Sequence, residues 1–112
     1  IRLNWMVDEH IPPIPYLDAR NCLHVLRIVQ EVFTNILKHA NADEVTVTVS
    51  RGPKYVGVQI QDNGVGFVME RTRHGKGLKN MAQRAATLGG SVETSTEAGL
   101  GTRFLLKLPL EN

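Results

Sequence analysis

Val45-Thr-Val-Thr-Val-Ser-Arg-Gly-Pro-Lys-Tyr-Val-Gly-Val-Gln-Ile60 is the stretch on which the fold turns. Val45, Val47 and Val49 alternate with Thr46, Thr48 and Ser50, the period-two pattern of a strand with one buried face, and β-branched residues suit that pleat. Gly52-Pro53 then reverses the chain into residues 55–60, so the two strands are antiparallel neighbours. Upstream, Cys22, Val25, Leu26, Val29, Val32, Phe33, Ile36, Leu37 and Ala40 recur at three- and four-residue spacing, and Asp18 can cap them. That pattern predicts a helix over about 18–40. Two antiparallel strands directly after a helix break the strand–helix alternation of a doubly wound parallel sheet.

The flanking elements fit the same frame. Residues 1–7 set Ile1, Leu3, Trp5 and Val7 on one half-buried strand face, while Pro12, Pro13 and Pro15 hold residues 8–17 as an extended loop. A second helix near 77–88 turns Leu78, Met81, Ala82, Ala85 and Leu88 inward and stops at Gly89-Gly90. Two more strands, near 91–97 and 102–108, flank Gly99-Leu-Gly101. The expectation is an α/β fold of the α+β two-layer kind, a mixed, mostly antiparallel sheet with helices on one face, with Trp5 and Phe104 in its core.

A chain of 112 residues holds one domain and leaves no room for a TIM barrel. Hydrophobic residues at 42% and charged residues at 21% exclude a disordered or collagen-like chain. The formal net charge of +2 is too small to point to nucleic acid, so any anion site must be local. With one cysteine, Cys22, neither an internal disulfide nor a multi-cysteine metal cluster can form. No apolar run approaches the roughly 18 residues of a membrane span, and no signal-peptide pattern occurs. We read 1–112 as a single domain of a longer protein.

Three local patterns carry chemistry. On the first helix, Arg27, Glu31, Asn35 and Lys38 or His39 form a polar stripe beside the apolar one. It could offer an oxygen ligand to Mg²⁺, a carboxylate to orient a nucleophile and an ammonium to neutralise phosphate, although an ordinary solvated helix face has the same pattern. Asp62-Asn-Gly-Val-Gly66 puts a carboxylate where a strand ends, followed by glycines that admit close backbone approach. Gly75-Lys-Gly77 opens the second helix, whose free backbone donors favour an anion. Its spacing matches neither the P-loop nor the dinucleotide fingerprint. His10, His24, His39 and His74 show no metal-ligand pairing.

Taken in order, Gln30-Glu-Val-Phe-Thr-Asn-Ile-Leu-Lys-His-Ala40, Asp62-x-Gly-x-Gly66, Gly75-x-Gly-Leu-x-x-Met-x-x-Arg-Ala85 with Leu88-Gly-Gly90, and Gly101-Thr102 resemble the ATP-binding catalytic domain of a sensor histidine kinase. They correspond to that family's N box, two glycine boxes and final Gly-Thr, and the likeness is greatest to the NarX/DesK-like subfamily. It runs from the first strand to Pro109.

The resemblance implies a Bergerat-type sandwich that binds Mg-ATP, with ATP and Mg²⁺ as its cofactors. Asn35 would coordinate Mg²⁺, with Glu31 an indirect contributor, and Lys38 would contact phosphate. Asp62 would accept from the adenine amino group with Thr102 in support, Gly64 and Gly66 would let backbone approach the base, and Gly75, Gly77 and Leu78 would line the phosphates. Glu31 would orient or polarise the acceptor. The phosphoacceptor histidine of such kinases lies in a separate dimerisation domain, so these residues alone are expected to bind ATP without autophosphorylating. Implied further are a homodimeric full-length protein, a response regulator downstream, no nucleic-acid partner, and a cytoplasmic domain whose parent can be anchored in the inner (plasma) membrane. The alternatives are an ATP-hydrolysing switch of the gyrase and Hsp90 kind, with Glu31 activating water, or an anti-sigma-factor serine kinase.

Overall fold

A computed structural model describes residues 2–8, 13–14, 17–37, 43–64, 75–97 and 101–110, for 75–78 and 96–97 by their backbone alone. The elements in chain order are β1 (Arg2–Val7), α1 (Ala19–Asn35), β2 (Glu44–Arg51), β3 (Tyr55–Asp62), α2 (Gly75–Thr87), β4 (Ser91–Glu97) and β5 (Gly101–Pro109). The strands form one sheet in the order β1-β2-β3-β5-β4. Only β1 against β2 is parallel; the other three pairings are antiparallel. The sheet is therefore mixed and mostly antiparallel.

Both helices start and stop where local chemistry dictates. Asp18 caps α1, its Oδ1 accepting from the Asn21 N–H at 2.9 Å. Beyond Asn35 the helix continues as a wider π-type turn at 36–37, and the expected residues 38–40 lie outside the described ones. Gly89 ends α2 with φ 77°, while the Gly90 N–H donates to the Ala85 carbonyl at 2.8 Å and the Gly89 N–H to that of Ala86 at 2.9 Å. This is the left-handed cap expected of a glycine pair. Gly90 is also required sterically, since a Cβ there would lie 2.1 Å from the Lys107 carbonyl oxygen.

Strand register sorts the side chains. Val45, Val47, Ile60, Phe104, Leu106 and Leu108 share one face, where they pack with Ile28 and Val32 of α1, Met81 and Ala85 of α2, and Ile36 and Leu88 just past the two helix ends. The opposite face, carrying Thr46, Gln59, Arg103 and Lys107, is polar. Helices thus cover one face only.

Three expectations about packing need correction. Trp5 is not in the core but 61% exposed, and Leu3 and Val7 beside it are 42% and 58% exposed. Helices pack 8–10 Å apart and strands about 4.8 Å apart, so two contacting helices cover about four strands. With α2 on β4 and β5, the layer ends before β1. Leu26 and Leu37 of α1 are likewise 61% and 67% exposed, whereas Ile28, outside the predicted stripe, is 2% exposed. Contact with α2 as well as the sheet rotates the buried arc of α1 toward Ile28. For the same reason Ala82 faces solvent while Met81 and Ala85 are buried.

Candidate functional site

Among the described residues three polar side chains are buried as deeply as the apolar core: Asn35 and Thr102 at 1% and Asp62 at 2% exposure. The chain path brings them to one end of the covered face. Thr102 stands opposite Asp62, one pair beyond Gln61↔Arg103, so both point to the helices. Asn35 ends α1, and β2 begins at Glu44, with Val45 paired to Asp62. Just past the far end of α2, Gly90 lies beside Lys107 and Leu108, which turns the first residues of the helix toward Thr102. The first turn of α2, containing Gly75 and Gly77, therefore faces the same end as Asn35 and Asp62.

Asp62 is held in one orientation. Its Oδ1 accepts from the Gly64 N–H at 2.8 Å, a local turn of the kind that short carboxylates favour. Asn63 fastens the loop to β2. Its Oδ1 accepts from the N–H groups of Asp43 at 3.2 Å and Glu44 at 3.0 Å, and its Nδ2 donates to Asp43 Oδ1 at 2.6 Å. Gly101 has φ +97° and packs against Asp62: a Cβ there would sit 2.2 Å from the Asp62 carbonyl oxygen and 3.3 Å from Oδ1. Only glycine keeps β5 this close to the carboxylate. In the sequence Asn63 has no individual role, and Gly101 none beyond its place in the final Gly-Thr motif. Turn chemistry could have singled out Asn63; Gly101 matters only once β5 lies beside β3.

What remains unpaired is informative. Asp62 Oδ2 and both side-chain atoms of Asn35 are buried without a hydrogen-bond partner. Each such atom costs about 1–3 kcal/mol of desolvation, so together they form a dry acceptor–donor set that an external ligand can satisfy. The Oδ1 of Asn35 is a hard oxygen suited to Mg²⁺, and Asp62 Oδ2 is an acceptor suited to an amino group. His24 Nδ1 is also buried and unpaired, and nothing in the site accounts for it. Glu31, one turn from Asn35 on α1, is half-buried in a cleft between the helices. Gly64 is buried beside Asp62. Leu78 belongs to the first turn of α2 by its backbone, while Lys38, His39 and Gly66 lie outside the described residues.

Comparison with known proteins adds to this geometry. The sequence model for the histidine kinase-, DNA gyrase B-, and HSP90-like ATPases matches residues 21–112. Sensor protein VraS of Staphylococcus aureus (strain COL) is 41% identical over 88 residues, which cover 78% of this chain and 25% of the relative. VraS of Staphylococcus haemolyticus gives the same figures. The chain thus spans about a quarter of the length of these relatives. In three dimensions it resembles the histidine kinase domain of the Erythrobacter litoralis EL346 blue-light activated histidine kinase. The TM-score is 0.76 at 23% identity, over 97% of this chain and 51% of that one. It also resembles the Acinetobacter baumannii histidine kinase AdeS, with a TM-score of 0.74 at 18% identity, over 99% and 56% of the two chains. At such identities the likeness is one of fold.

Proposed function

The chain belongs to the histidine kinase-, DNA gyrase B- and HSP90-like ATPases, and on that premise we propose that it binds Mg-ATP between Asn35 and Asp62 and donates the γ-phosphate to a histidine on a separate dimerisation domain. The observation that carries this reading is the set of unpaired buried atoms, Asn35 Oδ1 and Nδ2 and Asp62 Oδ2, at the end of the fold that the first turn of α2 faces. Asp62 Oδ2 accepts from the adenine amino group, Thr102 supports the same edge, and the backbone at Gly64 and Gly66 approaches the base. Asn35 Oδ1 would hold Mg²⁺, which when bound offsets phosphate charge. Lys38 and the backbone donors at Gly75, Gly77 and Leu78 neutralise and orient the phosphates.

In the transfer, an imidazole nitrogen of the acceptor bonds to the γ-phosphorus as the bond to the β,γ-bridging oxygen breaks. ADP leaves with that electron pair, and the imidazole gives up its proton. The residues of this chain contribute position and charge rather than a covalent intermediate, and Glu31 orients or polarises the incoming imidazole. The named relatives are sensor proteins, which supports a place in two-component signalling with a response regulator downstream. In this reading the full-length protein is a homodimer whose cytoplasmic end carries this domain and whose other end can be membrane-anchored.

Calorimetry with Mg-ATP tests the nucleotide reading. The chain should bind, and Asp62→Ala and Asn35→Ala should each abolish measurable binding; full binding by Asp62→Ala would overturn it. Steady ATP hydrolysis by the chain alone, lost in Glu31→Gln, would instead favour a hydrolytic switch.

A further inference from the structure

The cleft between α1 and α2 holds about 110 Å³ and is lined by Arg27, Gln30, Glu31, Asn80, Met81 and Arg84. It is too small for a nucleotide, since drug-sized sites run from roughly 300 Å³ upward, but it suits a carboxylate-sized group. Its lining carries two guanidinium groups and two side-chain amides against one carboxylate, Arg27, Gln30 and Asn80 being exposed, so the cleft has a net positive charge with donors to spare. Among the described residues neither Arg27 nor Arg84 forms an ion pair with Glu31. Arg27 also precedes Glu31 by four residues, the weaker order for stabilising a helix. Local helix stability therefore does not explain the pair. Met81, 1% exposed, gives the cleft an apolar floor, and Arg84 beside it is half-buried, which strengthens a charge-assisted bond relative to open solvent.

Position decides what the cleft receives. Glu31 lies one helical turn, about 6 Å, from Asn35, and Arg27 lies a further turn away. The cleft thus extends from the Asn35 end of the site in the direction away from Asp62 and Thr102. On the nucleotide reading, with the base at Asp62 and the phosphates at Asn35, the cleft lies beyond the phosphate end, on the side open to an acceptor. We propose that the α1–α2 cleft is the docking site for an acidic side chain of the polypeptide that carries the phosphoryl acceptor, gripped bidentately by Arg84 with Arg27 completing the charge. The inference rests on the nucleotide reading for the approach direction; the charge and shape of the cleft are independent of it.

The test is a nuclear magnetic resonance titration of the isotope-labelled chain with a short alanine-rich helical peptide bearing Glu, and with the same peptide bearing Gln. The Glu peptide should shift the amides of residues 27–31 and 80–84, and the Gln peptide should not. In the Arg27→Gln/Arg84→Gln variant the affinity should fall at least about tenfold, as expected for losing charge-assisted bonds, while Mg-ATP affinity stays within about twofold, which reads an intact fold. Arg84→Lys, keeping the charge but not the fork, should recover part of the loss. No shift at these amides, equal shifts from the Gln peptide, unchanged affinity in the double variant, or equal shifts from sodium sulfate at matched ionic strength would overturn the proposal, the last by revealing a free-anion site. Failure of the parent chain to bind Mg-ATP would defeat the nucleotide reading instead, and leaves the peptide result standing by itself.

Discussion

At one end of the covered sheet face, Val56, Leu106 and Leu108 are 3–4% exposed, and at the other Asn35, Asp62 and Thr102 are 1–2% exposed. The two ends are equally dry but opposite in consequence. Burial of the apolar end stabilises the fold by removing hydrocarbon from water. At the polar end three atoms stay unpaired, at about 1–3 kcal/mol each. Against a total stability of about 5–15 kcal/mol for a domain, that cost is large. A ligand that pairs those atoms returns it as binding energy and raises the apparent stability of the folded state. The comparison separates positions that hold the fold from positions held open by it.

Substitutions can break that contrast. The largest effect is expected at the apolar end, where Leu106→Ala should cost about 2–5 kcal/mol in urea unfolding and leave Mg-ATP affinity unchanged in the folded fraction. Gly101→Ala comes next. Its positive φ and the 2.2 Å approach to the Asp62 carbonyl predict a loss of roughly 1–3 kcal/mol, accompanied by weakened nucleotide binding because Asp62 must move. Asn35→Leu is expected to act in the opposite sense on the two readouts. Removing two unpaired polar atoms should raise the unfolding free energy, by about 1 kcal/mol or more, while magnesium-dependent affinity disappears. A fall in both would show that Asn35 serves packing alone.

The smallest effect belongs on the open face of the sheet. Lys107 Nζ lies 3.0 Å from Glu93 Oε1 and 5.2 Å from the Tyr55 ring centroid. The hydrogen bond and charge of Glu93 raise the Lys107 pKa above its usual 10.5. Stability from a raised ammonium pKa is complete below the unfolded value and lost as pH rises through the folded one. Because the pair is solvated, Glu93→Gln should leave the neutral-pH midpoint within scatter, and any difference should vanish in strongly alkaline buffer.

How much of this was legible in the sequence follows from what each signal encodes. Alternation at 45–50 and 55–60 gave strand, face and pairing, because a hairpin needs only local information. Asp62, Gly64 and Asn35 could be singled out from residue type and spacing, but not their burial. A polar stripe on a helix looks the same whether it meets water or the end of a sheet. Trp5 illustrates the converse. Its alternation identified the helix-facing side correctly, but whether a helix reaches that far depends on how many helices there are and how wide they pack. Ile28 escaped because the buried arc of α1 is set by α2, an element more than forty residues further along the chain. Asn63 acts through backbone groups of Asp43 and Glu44, and Gly101 through the carbonyl of Asp62. Such contacts exist only after the strands assemble.

The uncovered strand β1 has an optical consequence. Trp5 is the only tryptophan in the chain, and at 61% exposure its indole already emits from a largely aqueous environment in the folded protein. Melting the core will therefore shift the emission wavelength little, and fluorescence will report unfolding with a smaller change than circular dichroism. A second molecule or domain settling over β1 would instead shift the emission to the blue. The chain carries an intrinsic dye on the one strand of its sheet that its own helices leave bare.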